Sequence, residues 1–132
     1  MKSVKILLAL LSLAGAAFMA TGCASTQVAV DSKTHSTADY RNGVLYGKAN
    51  GRVDKVFVAA NKAIDKLQYF RTTGDELAKS MTQKVGARAK GDIKIDITLE
   101  EKVPGTTDIR VAYGSGDSAK SQEILNAIYA AM

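Results

Sequence analysis

Cys23 is the only cysteine among the 132 residues, and its thiol is the strongest nucleophile the chain supplies. It follows Ala20-Thr21-Gly22 at the end of an apolar run from Ile6 to Met19, with Lys2 and Lys5 placing positive charge ahead of that run. This is the layout of a secretory leader over residues 1–22. A membrane-spanning helix needs about 20 apolar residues, and this run is nearer the length of a leader core. A lone thiol at the head of an exported chain has no disulfide partner and would be a reactive liability if left free.

No other side chains assemble into a reactive set. His35 is the only histidine, and no histidine or cysteine follows it, so Ser-His and Cys-His pairs are not available to the rest of the chain. Glu100 and Glu101 are adjacent on a strand pattern and point to opposite faces. Asp96 and Glu100 share a face but stand roughly 13 Å apart at ~3.3 Å per residue, beyond the spacing of a hydrolase carboxylate pair. Asp92, Asp96 and Glu100, interleaved with Lys94, read as a solvated strip. Gly114-Ser115-Gly116 between a strand and a helix suggests an anion loop, but it lacks the Lys-Ser or Lys-Thr ending and Asp117 would set a carboxylate where a phosphate should lie. The expectation is a non-enzymatic protein with no cofactor and no metal site.

The elements that carry these residues follow from hydrophobic period. From about Arg52 to Leu67, Val53, Val56, Phe57, Ala60, Ala63, Ile64 and Leu67 fall on one arc at 100° per residue, which predicts a helix laid on a core with Asn50-Gly51 capping it. Val44 to Ala49 reads as a strand. Val85, Ala87 and Ala89, then Ile93, Ile95, Ile97 and Leu99, then Ile109, Val111 and Tyr113, alternate with polar residues and predict strands joined at Lys90-Gly91-Asp92 and Val103-Pro104-Gly105-Thr106. Tyr69 to Thr73 is a weaker strand candidate. Asp117 caps a second helix whose buried face is Ser121, Ile124, Leu125, Ile128 and Met132. These elements predict an α+β two-layer sandwich, an antiparallel sheet of four to five strands with two helices on one face, over residues 43–132. Residues 23–42, polar and with only Val28 and Val30 as sizeable aliphatics, read as a flexible tether reaching roughly 60 Å when extended.

Charge limits the partners. The chain has 18 Lys+Arg against 13 Asp+Glu, and loss of Lys2 and Lys5 with the leader lowers the formal balance from +5 to +3. That is too mild and too dispersed for a nucleic-acid binder. Arg52, Lys55, Lys62 and Lys66 lie within about 80° of one another around the first helix. They form either a solvated rim whose stems cover the core or a contact strip for an anionic partner: lipid headgroups, a phosphate-bearing envelope polymer or an acidic protein patch. A small-ligand cleft between sheet and helices is the alternative, disfavoured because the inward residues are mostly aliphatics of medium size.

The leader resembles that of a bacterial lipoprotein, in which the cysteine thiol is acylated and becomes the first residue after cleavage. That resemblance implies attachment to a membrane through acyl chains at Cys23, and with Ala24 rather than Asp next in sequence it implies an address at the periplasmic face of the outer membrane. The run Thr106-Thr107-Asp108-Ile109-Arg110-Val111, then Gly114, Gly116-Asp117, Ser121, Ile124-Leu125 and Ile128, is similar to the C-terminal pattern of a family of small bacterial lipoproteins known as a domain of unknown function. Tyr40-Arg41-Asn42-Gly43, the Val53 to Leu67 helix and the Ile93 to Leu99 strand are similar to its first half. The chain lacks a glycine between the first helix and Tyr69. The family implies a fold and an address and no activity; the function class expected beside it is a non-enzymatic envelope protein that engages another envelope component through its sheet or helix surface.

Overall fold

A computed structural model of the chain describes residues 26–31 and 36–132. Cys23, the leader, Ala24 and His35 lie outside the described residues. The elements are β1 (Thr26–Asp31), β2 (Ser36–Arg41), β3 (Val44–Asn50), α1 (Val53–Lys66), β4 (Phe70–Arg71), β5 (Thr82–Ala89), β6 (Ile93–Val103), β7 (Thr106–Tyr113) and α2 (Ser118–Ala130). The fold is α+β. Its strands form one antiparallel sheet in the order β1-β2-β3-β7-β6-β5-β4, six full strands and the two-residue β4 at one edge.

Four to five strands is therefore an undercount, and the excess comes from residues 26–41, which the sequence reads as tether. β1 and β2 pair from Thr26 opposite Tyr40 to Val28 opposite Ala38, and β2 pairs with β3 from Asp39 opposite Tyr46 to Arg41 opposite Val44. Asn42 and Gly43, with φ of 53° and 78°, make the two-residue turn that reverses the chain between β2 and β3.

The sheet consists of two meanders, β1-β2-β3 and β4-β5-β6-β7, zipped together along β3 and β7. Each helix follows one meander and packs mainly on strands of the other: α1 contacts β4, β5, β6 and β7, whereas α2 contacts β1, β3 and β7. The helices also touch each other, so both cover the same face. Neither half has a helix of its own to bury its strands, and the two halves form one core.

That core is the dry set of the alternating strands. Leu45, Val85, Ile95, Ile97, Leu99, Ile109 and Val111 from the sheet meet Val56, Phe57, Ala60, Ala63 and Ile64 of α1 and Ile124, Leu125 and Ile128 of α2. Gly47 makes the approach of α2 possible: a Cβ there would lie 2.8 Å from Leu125 Cδ2 and 3.0 Å from Tyr129 Oη. The Tyr129 hydroxyl donates to the Lys48 carbonyl at 2.7 Å, tying the end of α2 to β3.

The start of α1 differs from the sequence expectation in its cap. Arg52 holds the N-cap position and makes no side-chain cap bond. Instead Glu101, at an irregularity in the β6–β7 pairing, reaches across with Oε1 to accept the Val53 N–H at 2.8 Å, while Oε2 accepts the Gly105 N–H at 3.0 Å. At the other end Leu67 closes the helix and Gln68 takes the left-handed conformation, φ 63°, that a glycine would occupy more easily. The Tyr69 N–H reaches back to the Ile64 carbonyl at 3.1 Å, completing the reversal. The second cap is as expected, with Asp117 Oδ1 accepting the Lys120 N–H at 3.0 Å. Met132 is exposed beyond the end of α2 rather than on its buried face.

Candidate functional site

Alternation that fills one face of the sheet with aliphatics leaves the other face polar and uncovered by either helix. Register fixes its pattern. Asp39 of β2 stands opposite Tyr46 of β3, Tyr46 opposite Arg110 of β7, and Arg110 opposite Thr98 of β6. In the neighbouring row Lys48 of β3 stands opposite Asp108 of β7, which stands opposite Glu100 of β6. Two rows of polar groups thus cross the sheet about 4.8 Å apart from strand to strand.

These rows surround a concavity of about 660 Å³, lined chiefly by Asp39, Arg41, Tyr46, Lys48, Asp108 and Arg110. The Arg41 guanidinium lies over the Tyr46 ring, 4.2 Å from its centroid, and so shields one edge of the hollow and presents charge above an aromatic plane. Arg110 approaches Glu100 at 3.6 Å, and Lys102 approaches the same carboxylate at 3.8 Å. Further along β6, Lys94 pairs with Asp96 at 3.6 Å, in keeping with a solvated strip.

The residues singled out from sequence lie elsewhere. Arg52, Lys55, Lys62 and Lys66 are all exposed along α1. Arg52 sits before the first helical turn with its Nε 4.0 Å from an Asp54 carboxylate oxygen, and it borders a smaller surface groove with Leu77 and Met81. The open-face rows are not legible in sequence because Asp39 and Arg41 fall within the segment that reads as tether. The signal that finds them is the polar half of each alternation, which identifies a face only once the strands are set side by side.

Among the described residues, Glu101, Tyr69 and Arg71 have displaced pKa values, and packing explains each. Backbone N–H donors from Val53 and Gly105 hold the Glu101 carboxyl below its ordinary 4.5. Burial, then the nearby Glu123 charge and Tyr113, push the Tyr69 phenol up; its ring lies 6.1 Å from that of Tyr113. A hydrogen bond to Asp75, with Asp65 also nearby, raises Arg71 and joins the loop after β4 to the end of α1. None of the three lines the concavity. Among the described residues there is no cluster of three or more His, Cys, Asp or Glu able to hold a metal ion, and no helix long and apolar enough to cross a membrane.

The family model described as a protein of unknown function, DUF3568, matches residues 5–131. The chain belongs to that family. The match runs from the apolar leader-like segment through Cys23 to the end of α2, so it takes in both halves of the sheet. Comparison with curated proteins gives no match. Within this member of the DUF3568 family, the uncovered sheet face gathers Asp39, Arg41, Tyr46, Lys48, Asp108 and Arg110 around one hollow.

Proposed function

We propose that this protein is a lipoprotein anchored at the periplasmic face of the outer membrane, where it serves as a non-enzymatic interaction module of the cell envelope. The observation that carries the reading is the sequence around Cys23: a positive head, an apolar core, Ala20-Thr21-Gly22, then a single thiol. Each buried CH₂ of an acyl chain contributes roughly 0.8 kcal/mol, so two or more chains hold a small domain durably without a spanning segment. Only Ala24 and Ser25 separate Cys23 from β1, and three residue steps extend at most about 11 Å. The folded domain therefore works close to the bilayer rather than at the end of a long tether.

The test is fractionation of cells expressing the full chain. The wild type sediments with outer membranes, and Cys23→Ser appears in the soluble periplasmic fraction; an unchanged membrane fraction for Cys23→Ser contradicts the reading.

A second contact reading is favoured by the exposure of all four cations along α1, which leaves Arg52, Lys55, Lys62 and Lys66 accessible to an anionic envelope component. Reversing these four charges in the Cys23→Ser protein abolishes its association with anionic phospholipid vesicles if the strip is a contact surface. Unchanged association removes it.

A further inference from the structure

The uncovered sheet face combines three features in one place. It is concave, with a volume of about 660 Å³ that falls in the range of small-ligand sites, ~300–1,000 Å³. It presents Arg41, Lys48, Lys102 and Arg110 with Asp39 and Asp108, and Glu100 beside it pairs with Lys102 and Arg110. It also contains an aromatic ring, Tyr46, in the middle of the row running from Asp39 to Arg110.

How the charges are used separates this hollow from the rest of the sheet. On the β6 side, Lys94, Asp96, Glu100, Lys102 and Arg110 engage one another in ion pairs. Among the described residues, Lys48, Asp39 and Asp108 form no ion pair within 4.0 Å, although Lys48 and Asp108 are cross-strand neighbours. Arg41 spends its charge on the Tyr46 ring. Free carboxylates accept hydroxyl hydrogens, and free cations take an anionic group.

From this combination we infer that the open face across β2, β3 and β7 is a binding site for a soluble acidic glycan chain, a polyhydroxylated ligand carrying carboxylate or phosphate groups. A neutral sugar would leave Lys48, which has no ion pair among the described residues, without a counter-charge. A simple anion would leave Asp39 and Asp108 unused and close to its own charge. Rows of polar groups about 4.8 Å apart, crossing three strands, span about 10 Å and fit two to three sugar units. The inference deepens the interaction-module reading but does not depend on the lipid anchor.

The experiment is a titration of the isotope-labelled full-length protein in detergent micelles, followed by amide chemical shifts, with trigalacturonate, maltotriose, inorganic phosphate and micelles doped with anionic phospholipid as the four probes. Trigalacturonate moves the amides of Tyr46, Lys48, Asp108 and Arg110 and binds at least tenfold more tightly than maltotriose or phosphate. Lys48→Glu weakens trigalacturonate at least tenfold at unchanged Tm, and Asp108→Asn weakens it while leaving phosphate binding unchanged. Lys62→Glu on α1 has no effect. The inference is overturned if trigalacturonate moves none of these amides at millimolar concentration, if Lys48→Glu binds as the wild type does, or if maltotriose, phosphate or anionic lipid matches trigalacturonate at the same amides. The Cys23→Ser protein gives the same titration, so failure of the anchor reading and failure of this one are distinguishable.

Discussion

Glu101 and Val53 are 48 residues apart, yet the Glu101 carboxylate accepts the first helical N–H of α1 at 2.8 Å and so caps a helix to which it does not belong. Its second oxygen holds Gly105, so the same side chain also pins the β6–β7 turn. Removing the charge by Glu101→Gln weakens both bonds and lowers Tm by several degrees in thermal denaturation.

The pH dependence follows from the direction of that displacement. A carboxyl held below its ordinary 4.5 in the folded state stabilises fully above 4.5 and loses its contribution as pH falls through the lowered folded value. Acid titration of Tm therefore loses part of its low-pH limb in Glu101→Gln, while the two proteins keep a constant difference in Tm between pH 6 and pH 8. A difference that grows toward pH 8 contradicts the capping role.

Gly47 is where β3 and α2 come closest. A methyl group at this position meets the fully buried Leu125 at 2.8 Å and the Tyr129 hydroxyl at 3.0 Å. Gly47→Ala is expected to cost about 1–3 kcal/mol in chemical denaturation, with α2 displaced and the Tyr129 to Lys48 bond lengthened.

Gln68 predicts a gain. Its φ of 63° costs a non-glycine residue about 1 kcal/mol, and its side chain is exposed. Gln68→Gly is expected to stabilise the protein by about 0.5–1 kcal/mol and raise Tm by a few degrees, with no change in the helix content measured by circular dichroism.

The parts of the fold legible in sequence are those with a strong local period. Ile93 to Leu99 and Val53 to Leu67 declare a strand and a helix because burial on one side forces periods of 2 and 3.6. Asp117 declares its cap because the acceptor and donor are three residues apart. β1 and β2 read as tether because their sequences, Thr26–Asp31 and Ser36–Arg41, contain few large aliphatics, and pairing of β1 with β2 and of β2 with β3 holds them in the sheet where composition does not. The Glu101 cap is not legible in sequence because nothing in residues 50–53 points 48 residues ahead. The acidic-glycan face is similarly non-local: Asp39, Tyr46 and Arg110 become neighbours only after β7 joins β3.

Attachment of Cys23 to a membrane, as proposed above, is decided by intact-mass measurement of the protein purified from its native membrane. A polypeptide beginning at Cys23, heavier than its sequence by a diacylglyceryl thioether, is the predicted result. A chain beginning at any other residue, or a Cys23 carrying a free sulfhydryl, contradicts it.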